Sequence, residues 1–459
     1  MRPRNELARD QLTTVLARRA AVGASSLAEQ LRVSIPTLHR LLKEHPGQIV
    51  TRGQARRARY ALRRPLRGDL AEAPLYEVDT AGRARQIATL ALVRPEGSNL
   101  SLIRTGWPVP EESRDGWWEG LPYPLHDMRP QGYMGRQFAR AEHVQLAVPA
   151  NPQEWSDDDI VHVLSQRGAD MSGNLILGNP AFAQWQRSTL ATSEPLKARS
   201  LGRAYAGLAE QAIAAGVAGS SAAGEFPKFS ALRDLGGSAT PHVLVKFSGA
   251  GNSAAVRRWA DLLVAEHLAL ESVATLPSIQ SARSRIVVHA GRTFLEVERF
   301  DRHGLLGRSR LASLGTLDAA LIGAASSDWT VLADRLHGAG LLDTATVDRI
   351  RHLWWFGRLI ANTDMHTGNL SFRPHGTLAL APAYDMLPMQ YAPLPGGEVA
   401  ARSFEPSLPL PPQRQCWFAA CEAALLFWDR AAADGRISAG FRRLCSANAT
   451  ALRRAAERA

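Results

Sequence analysis

The residues best suited to chemistry lie in the stretch 361–372, which reads ANTDMHTGNLSF. Asp364 precedes Asn369 by five positions, the spacing at which kinases place a base for the substrate hydroxyl and an oxygen ligand for the metal. A predicted strand over residues 377–381 then leads to Asp385, which a β-hairpin return would bring close to Asn369. Both residues offer oxygen ligands suited to Mg²⁺. Either piece alone is typical of a polar turn, but the two together indicate ATP- and magnesium-dependent phosphoryl transfer.

A lysine interrupts an otherwise apolar run earlier in the chain. Lys246 lies in the predicted strand 241–247, and Glu266 lies 20 positions later in a helix predicted over 255–270. A buried lysine is costly unless it is paired or binds an anion. In kinases a strand lysine and a helix glutamate form the ion pair that holds the α and β phosphates. The alternative is a solvated edge lysine and an unrelated surface glutamate.

Two further segments could hold ATP. In the run 218–228, Gly219 and Gly224 would let backbone amides approach phosphate oxygens without an intervening side chain. A flexible loop that binds nothing is the alternative there. A strand ending near 298 could form a hinge, with the backbone of Glu298 and Phe300 facing adenine and Asp301 accepting from ribose hydroxyls. The alternative is a plain strand end with an Arg–Asp cluster.

The net charge of +11 is concentrated at the N-terminus, where residues 1–67 hold 15 Lys/Arg against 4 Asp/Glu. An excess confined to one small segment indicates a polyanionic partner. Two helices over 27–31 and 35–45, separated by the turn 32–34, have helix-turn-helix spacing, and residues 48–62 resemble a β-hairpin wing. We therefore predict DNA binding by Thr37, His39, Arg40 and Lys43 of the second helix and by Arg52, Arg56, Arg57 and Arg59 of the wing. A small helical dimerisation domain with a solvated basic face is the alternative.

Composition narrows the class of protein. A chain of 459 residues is enough for roughly two to four domains of about 100–200 residues each. Since no stretch approaches the roughly 18–20 apolar residues of a membrane span, we expect no membrane partner. The N-terminus has no apolar core of a secretory signal, and the three cysteines lack metal-ligand spacing. These features predict a cytoplasmic protein.

The motifs together resemble those of the HipA family. The shared features are the Thr-Asp-x-His-x-x-Asn-Leu-Ser stretch at 363–371, the Tyr-Asp at 384–385, the Glu-Arg-Phe-Asp-Arg at 298–302 and the Gly-Ser-Ser loop at 219–221. That family comprises bacterial serine/threonine kinase toxins of toxin–antitoxin systems. An N-terminal helix-turn-helix fused to such a body resembles the YjjJ-type subgroup. The resemblance implies an α/β (α+β) fold with a two-lobed, phosphatidylinositol-kinase-like body.

The resemblance also implies roles for single residues. Asp364 would be the catalytic base, with His366 in the same loop, while Asn369 and Asp385 would bind Mg²⁺. Lys246, paired with Glu266, would hold the phosphates. The loop serine that such kinases autophosphorylate would be Ser221, or else Ser220.

The implied domains are a winged helix-turn-helix over 1–67, a HipA-like scaffold over 68–195, a kinase N-lobe over 196–303 and a helical C-lobe over 304–459. A protein substrate and DNA are the expected partners. A homodimer is the default expectation, because helix-turn-helix proteins often read paired half-sites. The fused DNA-binding domain could make a separate antitoxin unnecessary.

Two departures from the family pattern weaken the prediction of catalysis. Gly368 stands where the family often has a lysine, and Phe226-Pro227-Lys228 replaces the usual Gln-x-Lys. Lost positive charge near the transferred phosphoryl group would slow turnover. One alternative is therefore a DNA-binding regulator whose kinase-like body senses nucleotide without transferring phosphate. A metal-dependent nuclease using the same acids is a third reading, but it gives no account of Lys246 and Glu266.

Overall fold

The computed structural model describes residues 3–191, 194–214 and 226–459, and these form two compact units. The first unit contains residues within Met1–Val78, Ala84–Arg129 and Gln153–Leu190. The second contains residues within Asp79–Arg83, Pro130–Pro152 and Ala191–Ala459. The mixed α/β class expected from the sequence is present in the two units. None of the helices in the described ranges has both the length and the apolar character that crossing a bilayer requires.

The first unit begins with three helices and a small antiparallel sheet. The helices are α1 (Pro3–Arg18), α2 (Ala24–Gln30) and α3 (Ile35–Lys43), and the strands are β1 (Val22–Gly23), β2 (Ile49–Arg52) and β3 (Arg59–Leu62) in the order β1-β3-β2. Ser34 ends the turn before α3, because its hydroxyl accepts from the amide of Thr37. Leu12, Leu27 and Leu38 are fully buried between the helices. The core therefore fixes α3 with its polar side chains outward.

The rest of the first unit is a five-stranded antiparallel sheet with helices. Its strands are β4 (Ala73–Val78), β5 (Ala84–Leu92), β6 (Ser98–Asn99), β7 (Trp117–Trp118) and β8 (Leu175–Leu177), in the order β7-β6-β5-β4-β8. The helices are α4 (Tyr123–Met128), α6 (Asp157–Arg167) and α7 (Asn179–Leu190), while α5 (Gly132–Leu146) belongs to the second unit. The connection between β5 and β6 contains Gly97 at φ +100°.

The second unit contains a five-stranded sheet with a helix on each face. Its strands are β9 (Leu196–Lys197), β10 (Lys228–Asp234), β11 (His242–Phe247), β12 (Ser284–His289) and β13 (Arg292–Glu298), in the order β12-β13-β11-β10-β9. On one face, α8 (Leu201–Ala214) packs Tyr205 against Phe247 and Phe294. Because successive side chains of a strand point to opposite faces, Lys246 points to the other side, where α9 (Ala254–Val273) lies.

The C-terminal part of the second unit is mainly helical. Its helices are α10 (Leu314–Leu317), α11 (Trp329–Gly338), α12 (Thr344–Leu359), α13 (Arg414–Ala433) and α14 (Ala439–Ala456). Its strands are β14 (Arg302–His303), β15 (Gly307–Arg308), β16 (Ala312–Ser313), β17 (Ser371–His375) and β18 (Thr377–Leu380). Trp329, Trp417 and Trp428 are fully buried and form much of this core. The loop that joins α12 to β17 carries the candidate catalytic residues.

Candidate active site

Lys246 is the centre of the candidate site. Strand β11 presents its Nζ 2.7 and 2.8 Å from the two carboxylate oxygens of Glu266 on α9. The same Nζ lies 2.5 Å from Oδ1 of Asp385. Lys246 is 7% exposed and Glu266 is 1% exposed. The structure therefore brings together three residues that the sequence had placed on a strand, a helix and a loop.

The three charged groups shift one another's pKa. Burial lowers the pKa of Lys246, but the carboxylates of Asp385 and Glu266 outweigh burial and hold it above its usual value. Burial raises the pKa of Asp385, yet the ammonium groups of Lys246 and Lys228 bring it down to about 2. Burial, together with the charge of Asp385, raises the pKa of Glu266 to about 7. Asp385 is therefore a permanent anion, whereas Glu266 can take up a proton near neutrality.

Backbone conformation and hydrogen bonds shape the loop after α12. Ala361 (φ +57°) and Asp385 (φ +53°) both adopt the left-handed conformation, which is rare for residues other than glycine and tends to occur at functional sites. The side-chain Nδ2 of Asn362 donates to the Asp385 carbonyl at 3.3 Å. Its Oδ1 accepts from the backbone amide of Asp364 at 3.0 Å. Asn362 thus links the loop of Asp364 to the segment that carries Asp385.

The two polar ends of the catalytic-loop motif differ in exposure. Asp364 is exposed, while Asn369 is 7% exposed and donates through Nδ2 to the Asp364 carbonyl at 2.8 Å. Since the amide nitrogen is committed to that bond, the Oδ1 of Asn369 is the atom suited to a cation. Together with the deprotonated Asp385, it gives a donor set of the kind that Mg²⁺ prefers.

His366 supports the loop through its side chain. Its Nδ1 accepts from the Gly368 amide at 3.1 Å, which caps the short 3₁₀ turn Thr367–Asn369. Because Nδ1 is the acceptor in that bond, the neutral ring carries its proton on Nε2. The contact assigns His366 a part in the shape of the loop.

Tyr384 is a residue whose contribution the sequence analysis missed. Its hydroxyl donates to the Gly368 carbonyl at 2.6 Å and lies 2.7 Å from Oγ of Ser371. Its ring lies 5.4 Å, centroid to centroid, from that of Phe300. The Tyr-Asp pair was recognised only as a motif, because contacts with residues 16 and 13 positions away depend on the tertiary fold. Lys228 was likewise noted only as a departure, although it pairs in register with Lys246.

The predicted hinge residues are more fully engaged than expected. The Glu298 amide donates to the Arg283 carbonyl at 2.8 Å, and the Phe300 carbonyl accepts from Nη2 of Arg373 at 2.7 Å. Asp301 is 5% exposed, and its carboxylate accepts from Arg299 at 3.0 Å and from Arg302 at 2.7 Å. These are the contacts of a strand end with an Arg–Asp cluster, and a ribose hydroxyl at Asp301 would compete with two guanidinium groups.

The predicted phosphate loop cannot be compared with the structure. Gly219, Ser220, Ser221 and Gly224 lie outside the described residues.

The predicted DNA-binding residues of the first unit fall into two groups. His39, Arg40 and Lys43 are exposed on α3, and Thr37 is half-buried beside the Ser34 hydroxyl. On the hairpin, Arg57 is exposed, whereas the side chain of Arg56 is not among those described.

Two other hairpin arginines contact the body of the same unit. The Nε of Arg52 donates to Oδ1 of Asn99 at 2.9 Å, and a second nitrogen lies 3.4 Å from Glu72. The Nε of Arg59 lies 3.4 Å from Oδ2 of Asp115. Part of the basic excess is therefore neutralised within the unit.

Comparisons with known proteins agree with this fold. The family described as HipA-like C-terminal domain matches residues 220–436, and the one described as YjjJ-like toxin, middle domain, matches residues 69–186. Among solved structures, the HipA–HipB–operator DNA complex of the Shewanella oneidensis MR-1 toxin–antitoxin system aligns with a TM-score of 0.52 at 15% identity. The alignment covers 84% of this chain and 97% of that chain, and it shows a shared fold.

A curated relative is considerably closer in sequence. Toxin YjjJ of Escherichia coli K12 is 36% identical over 423 residues, which are 92% of each chain. The chain belongs to the HipA family of toxins, among its YjjJ-like members. A proinflammatory kinase of Helicobacter pylori, CtkA, also aligns with 51% of this chain and 92% of that chain. Its TM-score of 0.35 at 12% identity is too low to show a shared fold.

Proposed function

We propose that the chain is an ATP- and Mg²⁺-dependent serine/threonine protein kinase that acts as a toxin in the cytoplasm. The observation that carries this proposal is the contact of Lys246 with both Glu266 and Asp385. A buried lysine held between a helix glutamate and a loop aspartate is the arrangement that kinases use to bind the α and β phosphates and to place the metal ligand. The exposed Asp364 supports the same proposal.

Each side chain then has a defined part in the reaction. Lys246 exchanges the Asp385 carboxylate for phosphate oxygens, while Glu266 keeps its ammonium group in position. Oδ1 of Asn369 and the freed Asp385 carboxylate would hold Mg²⁺, which would supply neutralisation of phosphate charge. Asp364 accepts the proton of the serine or threonine hydroxyl as the bond from phosphorus to ADP breaks and the bond to the substrate oxygen forms. The backbone near Glu298 and Phe300 borders the adenine.

Self-phosphorylation is part of the proposal. In the family resemblance, a serine of the phosphate loop is the acceptor, and Ser221 is the best match with Ser220 second. Transfer of labelled γ-phosphate from ATP in the presence of Mg²⁺, with the wild type compared with Asp364→Asn, tests the kinase proposal.

We also propose that residues 1–67 form a winged helix-turn-helix that binds DNA. The concentrated positive charge and the exposed His39, Arg40 and Lys43 on α3 support base and phosphate contacts from that helix. The solved relative contains HipA with a separate HipB and operator DNA. In this chain the fused domain would itself bind DNA, as a homodimer on paired half-sites, without a separate antitoxin. A salt-sensitive shift of promoter DNA by the full chain, lost in Arg40→Ala, tests this proposal.

A regulator that binds ATP without transferring phosphate is the second candidate. Gly368 favours it, because no cationic side chain extends from that position of the catalytic loop. The transfer experiment separates the two candidates, since only the kinase labels a protein.

A further inference from the structure

A cavity lies within the second unit beside strand β13. It has a volume of about 690 Å³ and is lined by the β10–β11 turn, the end of α9, strands β12 and β13, and α13. Glu296 and Glu298 face it, and they point away from the face of Leu295, which is the residue paired with Lys246. None of Lys246, Asp364, Asn369 and Asp385 lines this cavity. The cavity therefore lies apart from these four residues, although Glu298, whose backbone is expected to border adenine, lines it as well.

Three guanidinium groups along the wall of the cavity have donors to spare. Arg283 donates through Nη1 to the Gly237 carbonyl at 3.1 Å, a neutral acceptor. The nearest carboxylate oxygen to Arg430 belongs to Glu271, 3.8 Å away, too far for a hydrogen bond. The Nε of Arg285 is buried and has no hydrogen-bond partner among the described residues. Each guanidinium has five N–H donors, more than the contacts seen among the described residues use.

The other charged groups at the base of the cavity neutralise one another. Arg233, which is 1% exposed, donates to Glu296 at 2.8 Å and to Glu298 at 2.7 Å. Glu296 also accepts from Arg285 and from the hydroxyl of Tyr205, each at 2.7 Å. These carboxylates are therefore already satisfied. An anion entering the cavity would meet donors that are not committed to them.

We propose that this cavity binds a small phosphorylated molecule, whose phosphate is held by Arg283 and Arg430. A phosphate group matches the fork of a guanidinium and accepts several charge-assisted hydrogen bonds. The hydroxyl of Ser281 adds a further donor on the wall, whereas that of Ser284 already contacts Nδ1 of His267 at 2.9 Å. The volume lies within the range of roughly 300–1,000 Å³ that is usual for small-molecule sites. Binding at this cavity does not require phosphoryl transfer, so this proposal can be tested independently of the kinase proposal.

The test measures binding of labelled inorganic pyrophosphate to the full chain without magnesium. Arg283→Gln and Arg430→Gln each remove one guanidinium from the wall of the cavity. Arg335→Gln removes an exposed arginine of α11 and serves as the matched control. Lys246→Met removes the phosphate lysine of the candidate active site, and it reports how much of the probe binds there. Thermal unfolding of each variant verifies that the fold is retained.

The proposal predicts that Arg283→Gln and Arg430→Gln weaken pyrophosphate binding by roughly tenfold, the effect of losing a charge-assisted hydrogen bond. Arg335→Gln should leave it unchanged, and a component should survive in Lys246→Met. The proposal is overturned if pyrophosphate does not bind outside the candidate active site. It is equally overturned if all three arginine variants bind alike.

Discussion

The Nζ of Lys246 lies 2.5 Å from Oδ1 of Asp385, although the two residues are 139 positions apart in the chain. The contact joins the sheet of the second unit to the segment after β18. It also pairs Asp385, the proposed metal ligand, with Lys246, the proposed phosphate ligand. On the proposed function, binding of ATP and Mg²⁺ would replace this ion pair with two new contacts, so we expect the pair to influence nucleotide affinity.

Lys246→Met should destabilise the protein as well as abolish ATP binding. The substitution leaves Glu266, 1% exposed, without its cation, and breaking a buried pair in this way costs about 3–5 kcal/mol. Urea denaturation at pH 8 measures the loss. Lys197→Met, at an exposed lysine, is the control and should be nearly neutral. Equal stability of the two variants would show that Lys246 and Glu266 are not a structural pair.

The free energy of unfolding should depend on pH through Glu266. Its pKa is raised from the usual 4.5 to about 7 in the folded protein. The folded state therefore binds the Glu266 proton more tightly than the unfolded state does. This proton contributes its full stabilisation below pH 4.5, and the stabilisation is lost as the pH rises through about 7. Glu266→Gln, which cannot ionise, should lack this loss. Urea denaturation of both proteins at pH 5 and pH 8 tests it, and an unchanged difference between them would refute it.

Tyr384→Phe should lower kcat while leaving the KM for ATP nearly unchanged. The hydroxyl positions the Gly368 carbonyl at 2.6 Å and lies 2.7 Å from Oγ of Ser371, so its loss should act on the shape of the catalytic loop. A small misplacement of a catalytic loop reduces the rate by roughly 10- to 100-fold. Steady-state kinetics separate kcat from KM, with Tyr76→Phe in the first unit as the control. A rise in KM with kcat preserved would assign Tyr384 to nucleotide binding instead.

Asp115→Asn should strengthen DNA binding. Its carboxylate lies 3.4 Å from Arg59, and removing it frees that guanidinium for a phosphate. Because the pair is exposed, we expect a gain of roughly two- to fivefold, with a salt dependence steeper by about one ion. Titration of labelled DNA at several salt concentrations measures both quantities. Glu112→Gln removes a nearby exposed charge for which no ion pair is seen among the described residues. An equal gain in that variant would show that the effect comes from net charge alone.

Local patterns predicted much of the fold. The strand predicted at 241–247 is His242–Phe247, and the helix predicted at 255–270 is Ala254–Val273. The helical periodicity of residues 180–216 corresponds to two helices, Asn179–Leu190 and Leu201–Ala214. Apolar periodicity alone does not reveal where the first helix ends and the second begins. The segment between the two helices contains β9, which pairs with β10, a strand distant in the sequence.

The sequence analysis could not predict contacts between segments that are distant in the chain. Asn362 and Tyr384 act through carbonyl groups of other segments, which leave no trace in residue type. The acids that bind Arg52 and Arg59 come from a region that was interpreted only as scaffold. Charge counting located the basic segment, but it could not show which arginines are already paired.

The central claim is that Asp364 takes the proton in a phosphoryl transfer. The most direct measurement incubates the full chain with labelled ATP and Mg²⁺, compares it with Asp364→Asn, and maps the label by mass spectrometry. Asp348→Asn, at a half-buried acid of α12, controls for lost charge. We predict label on Ser221 or Ser220 in the wild type and in the control, and none in Asp364→Asn. ATP binding without label on the chain itself or on any protein of a cell lysate would contradict the account and favour the nucleotide-sensing regulator.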